Sequence, residues 1–278
     1  MSTQIYKSPN RYLFIASIGN PAPYTETRHS AGHLLLDALQ PHLHERIGLS
    51  TPGSNGQNLS KSIFYSTWKS PSLMNVSGPP VLRQLKSWLS DRKKYFDTLI
   101  HLNNNSYSST AETGSSSSNM QLLKSSSSEP ITIDTRALTQ RFRPTLVILH
   151  DELEAKPGQI KIRRGGPQQA SLRGHKGLIS IMESLRGAGL LSSSSATTAA
   201  TTAATTAATT AAKSATSSMA ILRIGVGIGR PTSRERNAVA DYVLSKMGPQ
   251  EMQALRETVP EVVEVLVQEM YRRDEDEV

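Results

Sequence analysis

The chain has 278 residues, of which 37% are hydrophobic and 19% are charged, so part of it is expected to lie outside a packed core. It has no cysteine, which excludes disulfides, thiolate metal sites and a cysteine nucleophile. Its formal net charge of +8 favours a polyanionic partner.

The N-terminal residues 1–11 do not resemble a secretory signal. They lack acidic side chains but are too short and too poor in arginine for a mitochondrial presequence. No apolar run along the chain approaches the roughly 18 residues of a membrane span, so no membrane partner is expected. We therefore expect a cytoplasmic protein, with a mitochondrial one as the alternative.

The first strand and helix of the chain are predicted at 12–18 and 31–39. Their apolar patterns are those of a buried strand and an amphipathic helix. Asn20 then follows the carboxyl end of the strand, where open α/β sheets bind ligands, and His29 precedes the helix. An amide and an imidazole at that edge suit attack of an activated water on a carbonyl. The simpler alternative is a turn with an exposed histidine.

The remaining strands and helices alternate along the chain. Further strands are predicted at 62–67, 145–150, 160–164 and 221–228, and further helices at 81–102, 177–185, 238–244 and 252–270, the last kinked at Pro260. This alternation predicts an α/β fold, a mixed twisted sheet with helices on both faces.

Two segments have the composition of insertions. Residues 103–130 are rich in serine and asparagine, and residues 191–218 contain the repeat TTAATTAATTAA. Neither segment has enough apolar residues to offset the entropy of ordering, so both are predicted to be flexible surface loops. Without them a core of about two hundred residues is left, which fits one domain over 1–278.

Two polar motifs follow the second and third predicted strands. Asn75, in the loop 74–78, could bind a substrate amide or ribose, or could cap local backbone. Asp151, in the run His-Asp-Glu, could accept the Nδ1 proton of His29. The alternative is a metal cluster that includes His29 and His33. We do not favour it, because the spacing is not HExxH and because His33 is expected to face neighbouring helices.

Glycine and basic residues mark two later segments. The run 173–178 has glycines around a helix start, which permits close approach of a phosphate or of backbone. The alternating glycines of 225–231 indicate close backbone packing or a bulge, not a dinucleotide site. Basic residues crowd the first of these regions and the strand before it, which suits either phosphate binding or a solvated face: Lys156, Lys161, Arg163, Arg164, Arg173 and Lys176.

Taken in order, these motifs resemble the bacterial-type peptidyl-tRNA hydrolases. The matching segments are GNPAPYTETRH (19–29), SLMNVSG (72–78), VILHDELEAKPGQIKIRRGG (147–166), GHKGL (174–178), RIGVGIGRP (223–231) and DYVLSKM (241–247). The resemblance spans nearly the whole chain outside the insertions, and an ordered set of this kind is specific. The variants RHSAGH and RGH are more typical of fungal members.

The resemblance implies a monomeric, metal-independent enzyme without a cofactor. Such an enzyme cleaves the ester between peptide and tRNA in peptidyl-tRNA and recycles tRNA from stalled translation. By the same resemblance His29 would be the general base on water, Asp151 its orienting partner, and Asn20 a group that stabilises the oxyanion.

The resemblance also assigns substrate-binding and tRNA-binding residues. Substrate would be bound by Tyr24, Met74, Asn75, His175 and Lys176, and tRNA phosphates by Arg163, Arg164 and Arg173. Lys176 departs from the family, which has asparagine there. A lysine cannot accept a hydrogen bond but adds a positive charge.

One other function is open, and a further one is considered and not favoured. A noncatalytic RNA-binding protein on the same fold would also account for the basic charge, the lysine and the insertions. A general esterase is not supported, because the chain has no GxSxG motif and no serine nucleophile is implied.

Overall fold

The computed structural model of the protein describes residues 9–47, 50–51, 59–62, 64–108, 120–123, 131–134, 143–166, 172, 174–191 and 219–273. Most of the two predicted insertions, and Arg173, lie outside these residues.

A seven-stranded sheet forms the centre of the fold, in the order β2-β3-β4-β1-β7-β9-β8. Its strands are β1 (Tyr12–Ser17), β2 (Ser50–Thr51), β3 (Leu59–Ser62), β4 (Tyr65–Lys69), β7 (Pro144–Glu152), β8 (Ile160–Arg164) and β9 (Ala220–Gly227). The central strands β4, β1, β7 and β9 are parallel, and β2, β3 and β8 join antiparallel. Strands β5 (Met120–Leu123) and β6 (Ile131–Asp134) form a separate antiparallel pair.

Six helices accompany the strands in the described residues. They are α1 (Ala31–Ile47), α2 (Gly78–Ser108), α3 (Lys176–Gly187), α4 (Arg236–Leu244), α5 (Pro249–Glu257) and α6 (Val259–Tyr271). Two short 3-10 turns, Arg28–Ser30 and Met74–Val76, precede α1 and α2.

Helices cover both faces of the sheet, because the buried strands are apolar on both sides. In β1, Leu13 and Ile15 belong to the core shared with α1, α5 and α6. Tyr12, Phe14 and Ala16 belong to the opposite core, shared with α2 and α3. The predicted α/β fold with helices on both faces is therefore confirmed.

Three predicted elements differ from the observed ones. The strand predicted at 62–67 begins later, as β4, because residues 59–62 form the neighbouring strand β3. Helix α2 runs to Ser108 and β5 begins at Met120, so parts of the segment 103–130 have regular structure. The predicted kinked helix is two helices that meet at Thr258. Pro260 occupies the first turn of α6, where its missing N–H has no helical partner to lose.

Close packing of α1 against the sheet places the preceding turn at the carboxyl ends of β1 and β7. A Cβ atom at Gly32 would lie 2.4 Å from the Leu149 carbonyl oxygen and 2.7 Å from that of Ile18. Only glycine permits this approach, since real Cβ contacts below 3.0 Å essentially do not occur. The turn Arg28–Ser30 is thus held over the sheet edge where the candidate site lies.

Candidate active site

A cavity of about 620 Å³ opens at the carboxyl ends of the parallel strands. It is where an open α/β sheet is expected to bind a ligand. The β1–α1 loop, the turn before α2, the end of β7, the start of α3 and helix α4 all contribute to its wall. Of the residues predicted from sequence, Asn20, Tyr24, His29, Asn75, Asp151, Arg163, His175 and Lys176 line it.

The β1–α1 loop that carries His29 is fixed by its own hydrogen bonds. The Ser30 hydroxyl accepts from the Asn20 backbone N–H at 2.9 Å and donates to the Tyr24 carbonyl at 2.7 Å. Arg28 donates two hydrogen bonds to the Glu251 carboxylate, each of 2.8 Å, which join the loop to α5. The backbone on both sides of His29 is therefore fixed, by Arg28 before it and by Ser30 after it.

His29 and Asp151, which both line the cavity, form a hydrogen-bonded pair. Nδ1 of His29 lies 3.1 Å from each carboxylate oxygen of Asp151. Because an ionised carboxylate only accepts, Nδ1 carries the proton, and Nε2 keeps a lone pair when the ring is neutral. The ring is 19% exposed and the Asp151 side chain 5% exposed, so the base reaches the cavity while its partner stays buried.

The environment shifts the pKa values of both groups. Burial alone would lower the pKa of His29, but the charge of Asp151 and its hydrogen bond outweigh it, so the pKa is raised. Burial alone would raise the pKa of Asp151. The adjacent His29 and His175 outweigh this and hold the pKa well below its usual range. Asp151 is therefore a carboxylate at neutral pH, available to both rings.

His175 is the second imidazole on Asp151, a contact that the sequence did not predict. It caps α3, because its Nδ1 accepts from the Leu178 backbone N–H at 3.2 Å. Its Nε2 lies 3.1 Å from Oδ1 of Asp151. The residue also lines the cavity, so its position permits the predicted substrate contact as well as this one.

Asn20 joins the β1–α1 loop to the turn before α2. Its Oδ1 accepts from the Met74 backbone N–H at 2.8 Å, which orients the amide and leaves its NH2 group for other acceptors. Met74 itself does not lie where the sequence placed it. Its side chain is 1% exposed and packs in the core with α2 and α3, because the turn directs this apolar residue inward. Asn75, next in the chain, lines the cavity.

The start of α3 lies directly against the turn 74–76. A Cβ atom at Gly177 would be 2.7 Å from the Met74 carbonyl oxygen, so the predicted close approach at this glycine is to backbone. This packing brings Lys176, the first residue of α3, to the cavity wall. The predicted close packing of Gly225 and Gly227 is also found. A Cβ atom at Gly227 would be 2.0 Å from the Lys156 carbonyl oxygen.

The predicted tRNA-binding arginines are divided between two faces of the sheet. Arg163 lines the cavity and pairs with Glu152. Arg164 lies on the other face and pairs with the buried Glu269, because adjacent strand residues point to opposite sides. Two further arginines, Arg230 and Arg236, line the cavity. Sequence reasoning missed them, although Arg230 stands in the motif 223–231.

Two further histidines, His33 and His150, are buried and structural. The ring of His33 packs against the end of β1 and the residues that follow it. Its Nδ1 lies 2.8 Å from the Ser17 hydroxyl, and its ring leaves no room for a Cβ at Gly19. Its pKa is lowered to about 3 by burial and by the charge of Lys69. His150 donates from Nδ1 to the Asp151 carbonyl oxygen at 2.7 Å, and burial first, then His175, lowers its pKa to about 4. Both rings are neutral at neutral pH.

Among the residues that the structure describes, one group of side chains could hold a metal ion, namely His29, Asp151 and His175. This group includes neither His33 nor Glu152. The donor chemistry fits a metal poorly. The Leu178 N–H occupies the Nδ1 lone pair of His175, so Nε2 carries a proton and donates instead of coordinating.

No helix in the described ranges is both long enough and apolar enough to cross a membrane.

Comparison with known proteins finds peptidyl-tRNA hydrolases. A family model described as "Peptidyl-tRNA hydrolase" matches residues 205–278. A "Probable peptidyl-tRNA hydrolase" of Schizosaccharomyces pombe is 34% identical over 109 residues, which are 39% of this chain and 36% of that protein. A "Peptidyl-tRNA hydrolase" of Geobacter metallireducens is 26% identical over 253 residues, or 91% and 85% of the two chains.

A solved structure is also similar. The crystal structure of peptidyl-tRNA hydrolase from Acinetobacter baumannii matches over 95% of this chain and 91% of that one. The TM-score is 0.47 and the sequence identity 18%.

Proposed function

This chain belongs to the peptidyl-tRNA hydrolase family, and we propose that it hydrolyses the ester bond between peptide and tRNA in peptidyl-tRNA, recycling tRNA. The observation that carries this proposal is the contact between His29 and the buried carboxylate of Asp151, at 3.1 Å in the cavity. Binding RNA alone does not require a buried carboxylate that accepts a hydrogen bond from Nδ1 of a histidine.

In the proposed mechanism His29 acts as a general base. Nε2 of the neutral ring takes a proton from a water molecule, while Nδ1–H stays on Asp151, whose charge stabilises the imidazolium that forms. The water oxygen bonds to the ester carbonyl carbon, and the carbonyl oxygen becomes an oxyanion. The C–O bond to the ribose then breaks, and His29 returns its proton to the ribose oxygen. The products are a free peptide carboxyl group and tRNA.

Asn20 is proposed to stabilise the oxyanion. Its Oδ1 is already bound to the Met74 N–H, so the amide is oriented before substrate arrives and its NH2 is the group available to donate. A donor that is fixed in advance lowers the barrier more than one that must reorient. Asn75 and Tyr24 both line the cavity, and they are proposed to contact the peptide part of the substrate.

The cavity wall provides for both ends of the proposed substrate. Leu73, Val243 and Leu244 give the wall apolar surface suited to a peptide, and the same wall carries cations. Arg163 and Arg230 already pair with glutamates, whereas Lys176 and Arg236 have no ion pair within the described part of the chain. These two are the cations best suited to bind tRNA phosphates.

The proposal is tested by release of free tRNA from an N-blocked aminoacyl-tRNA, with the unaltered protein and with Lys176→Asn. We expect turnover by the unaltered protein. We expect Lys176→Asn to bind tRNA more weakly, because the proposed phosphate contact of the lysine is lost. A noncatalytic RNA-binding protein would retain tRNA without releasing the blocked amino acid. Because one chain supplies both imidazoles and the carboxylate, we also propose a monomer, which sedimentation of the free protein tests.

A further inference from the structure

Two imidazoles share the carboxylate of Asp151. Oδ1 lies 3.1 Å from Nδ1 of His29 and 3.1 Å from Nε2 of His175. We propose that His175 is a positioning residue, which holds Asp151 in the orientation that His29 requires, and that substrate binding is not its main role. The inference deepens the proposed function and rests on it.

The hydrogen-bond pattern fixes the tautomer of His175. Nδ1 of its ring accepts from the Leu178 N–H, so in the neutral ring the proton must be on Nε2. Nε2 is the atom that faces Asp151, and it therefore donates. The start of α3 thus determines which nitrogen of His175 is available to the carboxylate. A continuous set of hydrogen bonds runs from Leu178 through His175 and Asp151 to His29.

His175 is one of two described side chains that donate hydrogen bonds to the Asp151 carboxylate. In the described residues, hydrogen bonds to the Asp151 side chain come from His29 and His175. The adjacent His150 bonds the Asp151 backbone carbonyl instead, and its ring meets His175 edge-on with centroids 5.2 Å apart. His175 is in turn fixed by its capping bond and by this ring contact. It is therefore a rigid support, whereas His29 is the ring that must exchange protons.

Sharing the carboxylate with His175 also affects the pKa of His29. A second donor on Asp151 withdraws part of the charge that would otherwise act on His29 alone. Without it, Asp151 would attract the proton of His29 more strongly. The other titratable or charged groups around the cavity are Tyr24 on the β1–α1 loop, His150, Glu152 and Glu154 on or after β7, Arg163 on β8, Lys176 on α3, Arg230 after β9 and Arg236 on α4. Glu152 and Glu154 are paired with Arg163 and Arg230.

Two substitutions separate the capping bond from the contact with Asp151. His175→Asn keeps an acceptor for the Leu178 N–H, since asparagine is a favoured N-cap, but its amide is too short to reach the carboxylate. His175→Gln is longer and can present an amide N–H to Asp151. We expect kcat to fall about 10-fold or more in His175→Asn, with KM nearly unchanged. The acidic limb of kcat/KM should also move to higher pH. His175→Gln should recover part of the lost kcat.

The outcome that overturns the inference is a higher KM in His175→Asn with kcat and the acidic limb unchanged. That result would make His175 a substrate-binding residue, as its sequence motif alone implies. Circular dichroism melting of both variants controls for loss of fold.

A second readout does not depend on turnover. Nitrogen-15 NMR of the imidazoles in the unaltered protein should find His175 protonated at Nε2 and not at Nδ1. His29 should titrate at higher pH in His175→Asn than in the unaltered protein. A neutral His175 protonated at Nδ1 would contradict the inference even if the protein hydrolyses peptidyl-tRNA. If the protein does not turn over, these NMR results still decide whether His175 positions Asp151.

Discussion

Asp151 is ionised although its side chain is 5% exposed, and two imidazoles make this possible. A buried carboxylate without partners would take up a proton. Here each ring donates to it, and the carboxylate in turn stabilises a positive charge on His29. Catalysis needs the neutral form of His29, so activity should rise with pH as the ring loses its proton. Because the pKa of His29 is raised above 6.5, this limb should lie above the value of a free histidine.

Asp151→Asn should lower kcat by roughly 10² to 10⁴-fold, because the amide neither fixes the tautomer nor stabilises the imidazolium. It should also move the acidic limb of kcat/KM to lower pH, since burial still lowers the pKa of His29 and the charge that raised it is gone. The pH–rate profile of tRNA release measures both effects. Asp37→Asn, which alters an exposed carboxylate paired with Lys69, is the matched control. An acidic limb that stays in place in Asp151→Asn would be inconsistent with this coupling.

Single residues also mark the limit of sequence reasoning about the site. The motif order put His29 and Asp151 at one sheet edge, and their side chains lie 3.1 Å apart in the structure. The motif order did not reveal that His175 reaches the same carboxylate. That contact depends on where α3 begins and on which ring nitrogen of His175 accepts the capping hydrogen bond from Leu178. Arg163 and Arg164 were treated as one basic surface. The strand period of two, applied to 160–164, would have divided them.

Among elements, the strands with continuous apolar runs were predicted best. β1, β7 and β9 are buried on both faces, and their sequences contain few alternatives to a central parallel strand. The strand predicted at 62–67 (SIFYST) overlaps the observed β4 (YSTWK) but begins too early. The boundary is set by the pairing of β4 with β3, which the sequence pattern does not show. The two C-terminal helices were predicted as one, because their apolar spacing continues across Thr258 while the hydrogen-bonded turn does not.

Helix α1 gives a direct test of how the site is supported. Gly32→Ala should destabilise the protein by about 1 to 3 kcal/mol, because the new methyl group would press on two backbone carbonyls at the ends of β1 and β7. Gly187→Ala, in the last turn of α3, meets nothing within 4 Å and should be neutral or stabilising by up to about 1 kcal/mol. Urea unfolding of the two variants provides the comparison. Equal stabilities would show that the close approach at Gly32 is not required.

For the molecule as a whole, we propose one domain that carries low-complexity insertions at about 103–130 and 191–218. The Met219 N–H bonds the Leu190 carbonyl at 3.3 Å, so the chain leaves α3 and returns to β9 at almost the same point. Leu190 and Leu191 pack against the core of α2 and α3. A segment with such close ends can be shortened at little entropic cost.

Deletion of 192–218, with Leu191 joined to Met219 through two glycines, should therefore change the melting temperature by only a few degrees. Thermal unfolding followed by circular dichroism makes this measurement. A deletion of two residues within the buried strand β7 is the control, and should abolish folding. A large fall in melting temperature on loss of 192–218 would mean that the segment packs against the domain.

We propose that His29 activates water to cleave the ester of peptidyl-tRNA. It is tested most directly by comparing the unaltered protein with His29→Ala in the release of tRNA from an N-blocked aminoacyl-tRNA, with tRNA affinity measured on the same samples. We expect turnover by the unaltered protein and its loss in His29→Ala, with tRNA affinity retained. Equal release by both proteins, or no release by either, would contradict it.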